Sequence, residues 1–434
     1  MGSAHLLQTH VWGRHTVYMH LIYRSARAAA CMGAMALTLG LVACSAPAEE
    51  TIDVALEDEL SGIAPTAIAN QTIGNCWAFT TTAWVQRLHT HVGGGNFDLS
   101  EAYLSYMYSY EQLLGRSKYS VLPLQEGANF DIARDLTSKY GMRQQSQFAG
   151  EGRTGELPAI HTSALAATNL WLKNGGLAKL PIEPAARRAY VRTLLDEFWQ
   201  LSPAVRSDLD TAFGKDMSRT LVGAPTTTFA KTRILRAEDL SVAIYNPAGA
   251  TPGAGTLADL VREGGAHRYA RTDLANEVTP TQLRAHKRLV QKLLHQGIPV
   301  WMSWWMEPGA ISVYGLGGKF TAANFLAAGP KPGHTGHATL LYDYEVTLSN
   351  GTLLKAGETV ADPGLLQAAL AENVSFSFWR VQNSWGSAAL SLGRPPGVYD
   401  LEERYLSEPL PIIVPLGSVK RPFWFGAALP RDMQ

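Results

Sequence analysis

An α+β fold, helices on one side and a twisted sheet or partial barrel on the other, is what this chain of 434 residues predicts. Apolar residues recur at helical spacing early in its body and alternate at strand spacing late in it. Gly and Pro mark the joins. Hydrophobic residues make up 46% of the chain and tryptophans number 11, ample for a well-buried core.

Phe79, Trp84, Val85 and Leu88 predict a helix from Cys76 to about Val92, stopped by Gly93-Gly94-Gly95. A second helix opens near Phe97–Tyr103 with Asp98 or Ser100 as cap, and a third follows the turn at 125–131 and ends near Gly141. Residues 143–280 read as an insertion of mostly helical character, with helices over Ser163–Leu172, Pro184–Phe198 and Leu209–Met217 and a Gly/Pro/Ala loop at Asn246–Gly255. Packing or oligomer formation is the plain role for that block. Thr279–Gln296 predicts a helix that Gly297 ends, and Ile298–Trp305, His337–Val346 and Val374–Gln382 predict strands. The apolar tail after Pro411, with Phe423, Trp424 and Phe425, reads as a final packed segment.

The N-terminus has the layout of an export signal. Arg24 and Arg27 precede a 16-residue uncharged run, Ala28–Ala43, too short for the ~30 Å hydrocarbon layer. It closes on Leu41-Val42-Ala43-Cys44, which resembles the bacterial lipobox. That resemblance implies cleavage before Cys44 and acylation of its thiol, anchoring the protein to a membrane. Without lipidation the product is secreted. The expected organisation is signal 1–43, tether 44–59, one domain over 60–425 and a tail over 426–434. Met19 makes a more typical start than Met1.

Composition narrows the chemistry. Net charge is zero, so no strong field points to nucleic acid as a partner. No zinc ligand set and no phosphate-binding glycine loop is present, so neither a metal nor another cofactor is expected. Of three cysteines, Cys31 lies in the apolar run, Cys44 ends it, and Cys76 alone belongs to the body.

Cys76 sits at a helix start, where unpaired N–H groups and the macrodipole favour a thiolate. An inert buried cysteine is the plain alternative. Acyl transfer by a thiol needs a base, an orienter for that base and donors for the developing oxyanion. His337, in Gly336-His337-Ala338, can be the base, with His334 as a nearby competitor. Asn383 can fix the imidazole tautomer, and Trp385 can shield that hydrogen bond from water. Gln71 and the main-chain N–H of Cys76 can hold the oxyanion.

Taken together, Gln71, Gly74-Asn75-Cys76-Trp77-Ala78-Phe79, Leu99-Ser100-Glu101, Gly297-Ile298-Pro299-Val300, His337-Ala338 and Asn383-Ser384-Trp385-Gly386 resemble the papain superfamily of cysteine peptidases. The bleomycin hydrolase branch is the most similar, through Phe97–Leu104, Glu126–Asp131, Lys139-Tyr140-Gly141, Val300-Trp301 and Arg380–Gly386. The resemblance implies a papain-like fold, a Cys76–His337 thiolate–imidazolium pair, a thioester acyl-enzyme, and a peptide or protein substrate. It also implies a substrate groove edged by Gly127 and Ala128, with Trp77, Ala338 and Trp385 beside it. Three features depart from the pattern: the interval from Gln71 to Cys76 is one residue short, Asn75 stands where Ser or Arg is common, and Ala128 replaces a glycine. Only 31 residues separate Cys44 from Cys76, too few for a large inhibitory pro-segment. An acyltransferase or amidase on the same residues, and a non-catalytic lipoprotein of the same fold, are the competing expectations.

Overall fold

The computed structural model describes residues 71–433, apart from 118–119, 121, 150–152, 220, 222–231, 275–277, 312–317, 330, 332, 334, 386–396, 409, 415–416 and 421–424. The signal segment with Cys31 and Cys44, the tether, His334, Gly386, Phe423 and Trp424 lie outside the described residues.

Helix α1 runs Cys76–His91, and Gly93 follows its C-terminus at φ +78°. Helix α2 spans Glu101–Gly115, capped by Ser100 Oγ, which accepts from the Tyr103 N–H at 3.1 Å. Helix α3 spans Phe130–Tyr140, with Asn129 Oδ1 accepting from Ile132 N–H at 3.0 Å. It stops at Gly141, which has φ +68°; a Cβ there would lie 2.4 Å from the Leu235 carbonyl, so only glycine fits.

The block after Gly141 is only half helical. Strand β1 (Met142–Arg143) leads to α4 (Gln145–Ala149), α5 (Leu157–Lys173), α6 (Pro184–Phe198) and α7 (Pro203–Phe213). The sequence places the last of these at 209–217. It starts earlier because Ser202 caps it and Pro203 suits a first turn, and Gly214 at φ +80° ends it. From residue 234 the chain turns to strands: β2 (Ile234–Leu235), the hairpin β3 (Ser241–Ile244) and β4 (Gly253–Thr256), short helix α8 (Leu257–Val261) and β5 (Tyr269–Leu274). The expected Gly/Pro loop therefore ends inside β4.

Helix α9 (Pro280–His295) opens on a capping box between Thr279 and Gln282. Then come β6 (Val300–Met306), β7 (Lys319–Phe320), α10 (Ala322–Ala328), β8 (Thr335–Thr347), β9 (Leu353–Leu354), α11 (Pro363–Ala369), β10 (Ser375–Gln382), β11 (Val398–Glu402) and α12 (Glu403–Ser407). The described chain closes with β12 (Pro411–Val414), β13 (Gly417–Lys420) and β14 (Phe425–Pro430).

One eight-stranded sheet holds most of the strands, in the order β5-β14-β6-β8-β10-β11-β7, with β9 on β8. Its described pairings are antiparallel except β11 with β7, so the sheet is mixed at one edge. The clean alternation expected in β10 is interrupted by a bulge between Phe376 and Phe378. Strand β14 is wedged between β5 and β6, with Phe425 to Leu429 buried. A domain boundary at 425/426 thus falls inside a core strand.

Helix α1 joins the helical layer to the sheet. Trp84 meets Phe130 at 5.6 Å and Tyr269 at 5.2 Å between ring centroids, and Phe130 meets Trp301 at 5.6 Å. Such edge-to-face pairs add about 0.5–1.5 kcal/mol each beyond area burial. Trp301 Nε1–H donates to Thr81 Oγ1 at 3.1 Å and fixes the register of α1 on the sheet. The fold is α+β, with the helix carrying Cys76 laid across the start of β8.

Candidate active site

The turn 71–75 delivers Cys76 to the first position of α1. Strand β8 delivers His337 and Ala338, and the end of β10 delivers Asn383 and the turn after it. These three segments converge. The Ala338 N–H donates to Cys76 Sγ at 3.4 Å. His337 Nε2–H donates to Asn383 Oδ1 at 2.9 Å, which leaves Nδ1 as the nitrogen able to take a proton. Trp385 stacks on the imidazole, ring centroids 4.9 Å apart and planes 28° from parallel, while Trp304 closes the other side edge-on at 5.6 Å.

Cys76 and His337 are both buried. Burial pushes the Cys76 thiol up to about 11, against the pull of the main-chain N–H groups of Ala338, Trp77 and Cys76 itself. Burial likewise pushes the His337 imidazole down to about 4, with the Asn383 hydrogen bond opposing it. The helix N-terminus favours a thiolate, whereas desolvation of each group works the other way, towards the neutral thiol and the neutral imidazole.

Gln71 is tied to the same turn as Asn383. Its main-chain N–H donates to the Ser384 carbonyl at 2.6 Å, and Ser384 Oγ–H donates to Gln71 Oε1 at 2.8 Å. One N–H of its amide donates to the Ile73 carbonyl at 2.6 Å, which leaves the second for another acceptor. Ser384, to which the sequence alone assigns no role, is the link that orients Gln71.

The segment 124–128, which the sequence expectation puts at the edge of a substrate groove, is tied to the helical layer. Trp77 is fully buried and its Nε1–H donates to the Glu126 carbonyl at 2.8 Å. Its side chain is therefore closed off from solvent and supports the segment at Glu126, which does not suit the substrate contact expected of it. Tyr108 OH donates to the Gly127 carbonyl at 3.2 Å. Gly127 is exposed, with nothing within 4 Å of the position of a Cβ, while Ala128 is half-buried and packs on the core. Glu126 Oε2 accepts from the Gly74 N–H at 2.5 Å, joining the segment 124–128 to the turn before Cys76. A Cβ on Gly74 would lie 3.0 Å from Glu126 Cβ, so glycine permits the approach. Nothing in local sequence spacing announces this contact, which spans 52 positions.

Among the described residues no group of His, Cys, Asp or Glu is arranged to hold a metal ion, and no helix is long and apolar enough to cross a membrane.

No family model and no curated protein matches the chain. Among solved structures it is similar to PepW from Lactobacillus rhamnosis HN001 (TM-score 0.40, 14% identity, covering 86% of this chain and 81% of that one). It is also similar to xylellain, a cysteine protease from Xylella fastidiosa (TM-score 0.31, 12% identity, 86% and 85%). A third is the clostridial cysteine protease Cwp84 (TM-score 0.29, 11% identity, 85% and 56%).

Proposed function

We propose that this chain is a papain-like cysteine peptidase. The observation that carries the reading is the meeting of three distant segments: Cys76 Sγ against the Ala338 N–H, and the adjoining His337 oriented by Asn383. In this mechanism His337 Nδ1 takes the thiol proton as Cys76 Sγ bonds to the peptide carbonyl carbon. The free amide N–H of Gln71 and the Cys76 main-chain N–H hold the oxyanion. The C–N bond then breaks, the imidazolium gives its proton to the leaving amine, and a thioester remains. Water, deprotonated by His337, attacks the thioester and releases the acid and the thiol. Asn383 keeps the ring in the tautomer that both steps require, and Trp385 keeps bulk water off that hydrogen bond.

Arg24, Arg27, the uncharged run and Cys44 support export and attachment to a bacterial envelope membrane through lipid on Cys44. Loss of membrane fractionation in Cys44→Ala checks that attachment.

Cleavage of a peptide library by the wild type, abolished in Cys76→Ala, tests the peptidase reading. Turnover retained by Cys76→Ala refutes it.

A further inference from the structure

Helix α5 belongs to the block after Gly141, far from any of the reactive residues in sequence, yet it touches both halves of the site. Near its start the Pro158 carbonyl accepts from Thr72 Oγ1–H at 3.3 Å, and Thr162 Oγ1 lies 3.5 Å from Thr72 Oγ1. One residue before the nucleophile, Asn75 is 1% exposed, and its Nδ2 lies 3.5 Å from His161 Nδ1 and 3.2 Å from Ser105 Oγ. Two turns further along α5, Asn169 Oδ1 accepts from the Leu124 N–H at 2.8 Å, at the head of the segment 124–128. Residues 158, 161 and 169 lie on one face of the helix, and 161 and 169 are about 12 Å apart along it at 1.5 Å per residue.

Helix α5 is itself anchored. His161 lies 4.7 Å from Trp199, and Trp199 meets Tyr106 of α2 at 5.9 Å. Ala164, Thr168 and Leu172 are buried behind the same helix. Burial holds His161 neutral, pushed down to about 3, so Nδ1 can act as an acceptor for the Asn75 amide.

We propose that helix α5 is a positioning element of the active site, with His161 setting the nucleophile turn through Asn75 and Asn169 setting the groove segment 124–128 through Leu124. This rests on the peptidase reading of the site. The two contacts serve different steps. His161 bears on where Cys76 sits, whereas Asn169 bears on the segment that receives the substrate backbone. A displacement near 1 Å at a reacting atom costs about a hundredfold in rate.

The test compares His161→Ala, His161→Gln, Asn169→Ala and Asn169→Asp in the full chain. Three readouts are taken: kcat and KM on an extended peptide, the rate of Cys76 alkylation by iodoacetamide, and Tm. His161→Ala is expected to lower both kcat and alkylation rate about tenfold or more, with KM within about twofold, on the sensitivity of rate to small displacements. His161→Gln, which can put an amide oxygen near Asn75, is expected to restore most of that loss. Asn169→Ala is expected to raise KM about tenfold, as for a binding contact worth about 1.4 kcal/mol, with alkylation unchanged. Asn169→Asp keeps the acceptor and should restore KM. Wild-type values in both alanine variants overturn the proposal. So do equal losses in His161→Ala and His161→Gln that track Tm, which mark plain packing. If the wild type cleaves no peptide while alkylation still depends on His161, the positioning role stands and the peptidase reading falls.

Discussion

The main-chain N–H of Ala338 donates to Cys76 Sγ across 262 positions of sequence. It offers the sulfur one of its few hydrogen bonds in a site that desolvation otherwise controls. The sign of the pH dependence follows. Burial pushes the thiol up to about 11 and His337 down to about 4, so desolvation favours the neutral form of both groups between those values. The thiolate fraction of Cys76 then climbs with pH throughout that window. Alkylation of Cys76 by iodoacetamide should therefore rise steadily from about pH 5 to about pH 10, since only the thiolate reacts. A flat rate across that range would mean a resting thiolate–imidazolium pair.

Gln71 offers one amide N–H to Ile73 and keeps the other available. If that second donor serves the oxyanion, Gln71→Ala should lower kcat by about a hundredfold to a thousandfold, as loss of one such donor does. Iodoacetamide alkylation, which develops no oxyanion, should stay within about twofold. Equal losses in both assays would assign Gln71 to holding the turn.

Asn383→Ala removes the acceptor for His337 Nε2–H and frees the ring to change tautomer. Base catalysis contributes about 10²–10⁴-fold, so a loss near the lower end is expected in kcat, with KM little changed. Steady-state kinetics on one peptide substrate reads both. An unaltered kcat would show that Trp385 and Trp304 alone orient the ring.

Glu101 is buried in the first turn of α2, accepting from Thr82 Oγ1–H at 3.3 Å and from Gln145 Nε2–H at 3.1 Å. Burial raises its pKa from 4.5 to about 8. The folded state therefore binds this proton more tightly than the unfolded chain does. Its contribution to stability is present below the ordinary carboxylate range and is lost as pH rises through about 8. Glu101→Gln stays neutral, so its Tm should fall less than that of the wild type between about pH 4.5 and about pH 8, where the unfolded chain has lost the proton that the folded state keeps. Parallel Tm curves would contradict a raised Glu101.

Much of the helical half of the fold was legible because it rests on local chemistry. Ser100, Asn129 and Thr279 cap as their types suggest, and Gly93, Gly141 and Gly297 each follow a helix with positive φ. The strand Val300–Met306 likewise announces itself as an apolar run after Gly297 and Pro299. Strand order is another matter. The insertion of β14 between β5 and β6 depends on pairing between residues 269–274 and 425–430, which no local pattern encodes. At the site, residue types and their order along the chain pointed to Cys76, His337 and Asn383. Burial did not follow from those motifs. It is what closes Trp77 off from solvent and favours neutral forms of the thiol and imidazole. The Gly74–Glu126 and Asn75–His161 contacts also stayed hidden, since each joins segments more than fifty positions apart.

The most direct measurement is the intact mass of the protein, with peptide mapping, after exposure to a peptidyl epoxide at neutral pH. Attack by Cys76 with help from His337 predicts a single adduct on Cys76, its formation slowed at least about a hundredfold in His337→Ala, the lower range for a lost general base. An adduct that forms as fast without His337, or that maps to another residue, would contradict it.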